Sequence, residues 1–495
     1  MTNSKKHWLC LIPALWTPMV SADYKSDVGY TDLQNMLGDG TPTGAGVSVT
    51  QAEASSVPST DGNFPVYAPD ANNAQFANDT FLFPGTPSTS PSSHATGVGG
   101  RFYGANAIAH GIDTITSYEV NDWINSLYNP NGTVTQPVNG SRIANHSWVG
   151  NGDTPTETGH ILRVVDQQVQ RNEFIQVVGM ANGSSNSPLL GSAYNVIAVG
   201  RTDGNQDKGS DPVDSLYVAG RTRPDLVAPE TTTSAATPLV SAAAALLIET
   251  GHTGAVSLSK SSVNIAGVGT IYNAERSETI KAALMAGADR VTDNSSTSAN
   301  ISDYRSNGHT TANGLDDRFG AGQLNILHSY QIIAGGEQDS LEDGGSGAIG
   351  SFGFDYDAAF GGSQNSNAVA TYTFDAAEDL NFTASLVWNL GVSNNTNLTT
   401  TLHNLDLELI DVTTQSTAAV SASTLDNSEN LWLNLAMGHS YELLVKSADA
   451  SNFSWDYSLA WYMSPIQAAP VPVPAAFYLF VSGMAGVGFA ARRKT

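Results

Sequence analysis

The chain has 495 residues, 41% of them hydrophobic, enough for more than one packed domain. Lys and Arg together number 21 against 46 Asp and Glu, for a formal net charge of −25, and so acidic a chain lacks the cation clusters that nucleic acid binding needs. Cys10 is the single cysteine, which excludes intrachain disulfides and zinc sites built on several thiolates.

Residues 1–22 have the layout of a secretory signal: Lys5 and Lys6, an apolar run from Trp8 to Val20, and small residues at Val20-Ser21-Ala22 before a cleavage point. The rival reading is a buried N-terminal segment. Tyr30 to Leu37 reads as a helix. Residues 44–53 (GAGVSVTQAE) read as a strand entered through glycines and ending at Glu53. Residues 54–92 are rich in Asn, Ser, Thr and Pro and read as a surface excursion. His94 opens a small-residue helix. A helix around Glu119 to Leu127, a strand at Ser141 to Val149 and a helix at Thr158 to Gln170 follow. Strands at Phe174 to Met180 and Val196 to Gly200 come next. Short strands alternating with helices predict an α/β domain, residues 23–334, with a mostly parallel sheet.

The domain centres on Arg223 to Glu249, RPDLVAPETTTSAATPLVSAAAALLIE. A strand-like piece and a run of threonines lead to Ser234, and the Ala/Leu-rich remainder reads as a buried helix with Pro238 in its first turn. A serine at a helix N-terminus lies beside free N–H groups and the positive end of the dipole, which suits a nucleophile whose attack creates an oxyanion. On this stretch alone Ser234 equally reads as an N-cap. Ser277 to Ala288 and Gly320 to Ala334 are predicted helices. Residues 335–350 read as a Gly/Asp/Ser-rich linker, and residues 351–464 alternate apolar and polar positions as an all-β sandwich does.

Glu53, His94, Asn182 and Ser234 each fall where a strand or loop meets the next element, on the carboxyl edge of the expected sheet. Alone, they read as a strand end, a helix residue, a turn residue and a cap. Together they resemble the subtilisin-like (S8) serine peptidases over residues 44–334. The matching stretches are GAGVSVTQAE, SSHATGVGG, Asn182 with NVIAVG downstream, and RPDLVAP followed by TTSAATP. The resemblance implies a subtilisin-like sheet and an exported endopeptidase. Ser234 would be the nucleophile, His94 the general base, Glu53 the acidic member and Asn182 the oxyanion donor. Ser147, Trp148, Val149 and Gly150 would line the substrate groove. Glu53 stands where the family has Asp, Thr232 where it has Gly two residues before the serine, and Ala181 where it has Gly before the asparagine.

The tail, from residue 465, has a Pro-rich spacer, uncharged residues from Ala475 to Ala491, then Arg492-Arg493-Lys494. It resembles a PEP-CTERM sorting signal, with VPVP at residues 471–474. That implies a Gram-negative cell surface and processing by signal peptidase and a C-terminal sorting protease. A plain membrane anchor is the other reading. The implied substrate is polypeptide, with no catalytic metal and no required cofactor. The acidic, Asn-rich loops permit a structural Ca²⁺ without a ligand spacing that demands one. Contact with the cell surface or extracellular matrix is a role open to the sandwich. The alternative function is a catalytically weak or dead subtilisin-fold protein that binds a surface or matrix. A serine hydrolase acting on esters is a third reading.

Overall fold

A computed structural model describes residues 23–56, 65–127, 140–183, 189–295, 299–361, 367–448 and 453–466. The signal and tail expectations lie outside the described residues. Two helices open the described chain, α1 (Tyr24–Asp27) and α2 (Tyr30–Leu37). The α/β part then runs β1 (Val49–Glu53), β2 (Thr80–Leu82), α3 (Ser93–Phe102), β3 (Thr114–Glu119), α4 (Val120–Leu127), β4 (Ile143–His146), α5 (Pro155–Asn172), β5 (Ile175–Gly179), β6 (Ile197–Arg201), β7 (Leu226–Ala228) and α6 (Thr233–Leu258). A hairpin of β8 (Ser262–Ile265) and β9 (Gly269–Tyr272), then α7 (Ser277–Gly287) and α8 (Ile326–Ala334), complete it.

The first seven strands form one parallel sheet in the order β2-β3-β1-β4-β5-β6-β7. Its central strands are buried on both faces, so they are near-continuous apolar runs. Alternation sorts their side chains. Val49, Ile143, Val177 and Val199 face α6, α7 and α8, whereas Ala52 and Val178 face α4 and α5. At its middle, α6 is apolar all round because it is buried all round; Ala242 to Leu247 have no exposed surface. Gly179 lets it sit close to β5, since a Cβ there would lie 2.8 Å from Thr237 Oγ1.

The sequence reading differs from the structure in places. The excursion over 54–92 includes β2, an exposed edge strand too short for a period-2 pattern to register. The helix expected from Gly320 starts at Ile326, because Gln323 bridges to Val227 and Asp289 as extended backbone. Pro238 sits beyond the first turn of α6, as its sixth residue.

The β-rich part has two antiparallel four-stranded sheets. One is β10 (Phe352–Phe360), β19 (Trp455–Pro465), β12 (Leu380–Val387) and β17 (Ser428–Leu435); the other is β11 (Val369–Asp375), β18 (Ser440–Ser447), β15 (Leu405–Asp411) and β16 (Ser416–Ser421). A small pair, β13 (Gly391–Val392) and β14 (Thr400–Thr401), reaches α5. Strand β10 does not alternate, because it is covered by the other sheet on one side and by α7 and α8 on the other. Phe354, Val387 and Ala460 join the apolar cluster that contains α6, and Thr383 Oγ1 donates to Ala286 O at 2.8 Å. Residues 335–350, read as a linker, are pinned by bridges from Glu337 to Phe354 and from Ala348 to Thr373.

Candidate active site

The four singled-out residues lie at the carboxyl edge of the sheet. Glu53 ends β1, and its side chain is only 2% exposed. Ser92 caps α3 by accepting from Ala95 N–H, which makes His94 the second residue of the helix and turns its ring back toward β1. His94 Nδ1 stands 2.9 Å from Glu53 Oε2. The hydrogen bond to Glu53 holds the His94 pKa above the ordinary imidazole value, against the opposing effect of burial. That bond fixes Nδ1 as the protonated nitrogen and leaves Nε2, on a half-exposed ring, as the basic one.

Ser234 is the second residue of α6. The cap is Thr232, in extended conformation, whose Oγ1 accepts from Ala235 N–H at 3.3 Å. The cap role therefore falls two residues earlier than a cap reading of Ser234 requires, and the Ser234 hydroxyl is free for other work. It donates to Ser147 O at 3.3 Å, while Ser147 Oγ donates to Ser234 O at 3.0 Å. Pro238 explains the second bond: lacking an N–H, it cannot serve the carbonyl four residues back, and Ser147 supplies that donor. Asn145 Nδ2 steadies the Ser147 hydroxyl at 3.0 Å.

Asn182 Oδ1 accepts from Thr233 N–H at 2.9 Å, which points the amide NH₂ end outward as a donor beside the first turn of α6. The Ser234 N–H, also in that turn, has no intrahelical acceptor. Ala181 is absent from the left-handed region; among the described residues of this loop, Gly183 has a positive φ, at +95°. Thr232 is exposed, and its side chain is engaged as the helix cap. In the groove segment, Trp148 Nε1 donates to the buried His146 ring at 3.2 Å, Val149 is exposed, and Gly150 O accepts from Leu189 N–H at 3.1 Å.

The site is thus two hydrogen-bonded pairs, Glu53–His94 and Ser147–Ser234, with Asn182 tied to the first turn of α6 through Thr233 N–H. No hydrogen bond joins His94 to Ser234 in this structure, whose Ser234 rotamer serves Ser147 O instead. A staggered χ1 change is all that separates a serine hydroxyl from its other directions, and such bonds are often formed only with substrate in place. Two clefts are lined by sequence neighbours of His94 and Glu53, and neither is lined by a residue of the site itself. One of about 700 Å³ is lined by Ser93, Arg101 and Glu230 and spanned by the Arg101–Glu230 pair at 2.8 Å. The other, about 480 Å³, is lined by Ala54, Ser55, Glu119 and Asp122. Behind Glu53 lie two residues that sequence reasoning missed: Gln51, which donates to Glu53, and Tyr103, which donates to Gln51. The available signal was an amide two residues before Glu53, on the same face of the strand.

Two groups among the described residues could hold a cation, and neither includes a residue of the site. In His309, Asp316 and Asp317, Arg318 and Lys208 already supply positive charge. In Glu337, Asp339 and Asp355, Lys260 Nζ sits 2.6 Å from Asp339 and the Lys260 N–H 2.5 Å from Glu337.

No protein-family model and no curated protein matches the chain. Among solved structures, a lanthipeptide protease is similar over 64% of this chain and 98% of its own, at 12% identity and a TM-score of 0.36. MycP1, a serine protease of the type VII (ESX-1) secretion system, is similar over 64% and 90%, at 12% identity and a TM-score of 0.30. The pre-peptidase C-terminal domain of a Bacillus anthracis collagenase covers 24% of this chain and 92% of its own, at 19% identity and a TM-score of 0.17.

Proposed function

We propose that the chain is an exported serine endopeptidase of the subtilisin-like kind, cleaving polypeptide through an acyl-enzyme on Ser234. The observation that carries this reading is the Glu53–His94 pair at 2.9 Å, set in the same sheet edge as a serine relieved of capping duty. His94 Nε2 takes the Ser234 proton as the hydroxyl attacks the scissile carbonyl, then returns it to the leaving amine. Glu53 holds the ring and stabilises its imidazolium form. Asn182 Nδ2 and the Ser234 N–H donate to the oxyanion. Substrate would run along Ser147 to Gly150. The tail would deliver the enzyme to the surface of a Gram-negative cell after processing at both ends. Glu337, Asp339 and Asp355 are where a structural Ca²⁺ would find carboxylates.

The test is a fluorophosphonate probe on the folded protein. One label, on Ser234, is expected, and none on Ser234→Ala or His94→Ala. A folded, unlabelled protein overturns the proposal. A second reading, a binding protein on a silent scaffold, is favoured by the Ser234 hydroxyl bonding Ser147 O rather than His94. It expects no label and a binding phenotype that survives Ser234→Ala.

A further inference from the structure

Strand β1 is buried along its whole length, so a polar side chain on it needs an internal partner. Gln51 and Glu53 are two residues apart and project from the same face. Gln51 has no exposed surface, and both ends of its amide are bonded. Nε2 donates to Glu53 Oε1 at 2.8 Å and to Ala95 O at 2.9 Å. Oε1 accepts from the Tyr103 hydroxyl. A backbone carbonyl only accepts, so the bond to Ala95 O sets which end of the amide is NH₂, and the orientation is unambiguous.

The consequence falls on Glu53. A glutamate has one more rotatable bond than an aspartate, and its carboxylate needs an anchor to serve one ring nitrogen. Gln51 takes Oε1 and leaves Oε2 to His94. It also ties the carboxylate to Ala95, the residue after His94, so acid and imidazole are referenced to the same helical turn. Tyr103, just past the end of α3, closes the loop. Its hydroxyl reaches Gln51 because residue 99 is glycine: a Cβ there would lie 2.4 Å from that oxygen. Burial, and then the Glu53 charge, push the Tyr103 pKa far up, so the hydroxyl stays a donor at working pH.

We propose that Gln51 is a positioning residue of the hydrolytic site, its amide locking Glu53 in the one orientation that serves His94, with Tyr103 and Gly99 holding the amide in turn. This rests on the peptidase reading above. The Tyr103–Gln51 relay is the companion of the glutamate: it makes the longer acid usable.

The test compares fluorophosphonate inactivation of the wild type, Gln51→Leu, Tyr103→Phe, Glu53→Gln and Gln51→Leu/Glu53→Gln. For Gln51→Leu the maximal inactivation rate should fall about 10–100-fold with half-saturation unchanged, the size of a misplaced catalytic group. The acid limb of its pH profile should move to lower pH as His94 loses a fixed carboxylate. Tyr103→Phe should move both in the same direction by less, and it carries the test should Gln51→Leu not fold. The double variant should be no slower than Glu53→Gln alone, because Gln51 acts only through Glu53. A folded Gln51→Leu, or failing that Tyr103→Phe, with wild-type rate and limb overturns the proposal, as does full additivity in the double variant. An unlabelled wild type instead sinks the peptidase reading itself, so the two failures are distinct.

Discussion

His94 must be unprotonated to act as base, and Glu53 makes it harder to deprotonate. A raised pKa shrinks the basic fraction at a given pH, so the acid limb of kcat/KM should lie above the ordinary histidine value of about 6.5. Glu53→Gln removes the charge and the acceptor that fixes the tautomer. The limb should move down, and kcat should fall by about 10⁴-fold. A pH–rate profile of the two proteins checks this; an unmoved limb would mean that Glu53 does not act on His94 in solution. Asn182→Ala removes a single donor and should cost about 10²–10³ in kcat without moving the limb. The candidate side chains were legible in the sequence as an order of acid, His, amide and Ser, of which the structure pairs Glu53 with His94. What Thr232, Ala181 and Glu53 do in place of the expected Gly, Gly and Asp was not. A cap, a backbone angle and the reach of a carboxylate depend on neighbours remote in sequence.

Among the elements, α6 and β4 are joined by a bond that the proline dictates. With no N–H at position 238, the Ser234 carbonyl takes its proton from Ser147, and the two serines exchange hydrogen bonds across the groove. Ser147→Ala should therefore cost about 1 kcal/mol of stability and loosen the backbone at Ser234. Pro238→Ala restores an N–H to the helix and should recover part of that loss when combined with Ser147→Ala. Denaturant melts of the four proteins in that cycle check it, and strict additivity would refute the coupling. The helices α3, α5, α6 and α7 were legible because apolar spacing and small-residue runs are strong signals over ten or more residues. Strand β2 was not, being three residues of exposed edge. Nor was β10, whose burial on both sides erases alternation. The register that sets Gln51 beside Asn145, and Asn145 beside Val177, is a property of strand order, which no local pattern encodes.

The whole molecule carries buried carboxyls that lower its stability as pH rises. Glu429 on β17 has no exposed surface; burial pushes its pKa up to about 9, with Asp426 and Asp406 adding to the rise and hydrogen bonds from Ser421 Oγ and Ser423 N–H opposing it. Asp357 on β10 is likewise pushed up to about 6 by burial. The folded chain thus keeps protons that the unfolded chain has already released above about pH 4.5. Native protein binds the larger number of protons between those values, so stability falls as pH rises, by about 1.4 kcal/mol per unit for each such group across its window. The proposed activity would run the other way, since His94 needs a higher pH to be basic. Melts of Ser234→Ala, which cannot digest itself, should show Tm falling from pH 5 to pH 8. Adding Glu429→Gln mimics the protonated acid permanently: a side-chain NH₂ toward Ser421 and a carbonyl toward the Ser423 N–H. It should match its parent at pH 5, melt higher at pH 8 and give a shallower slope. Parallel slopes for the two proteins would show that Glu429 is ionised in the folded state and that this side of the molecule does not set the pH limit.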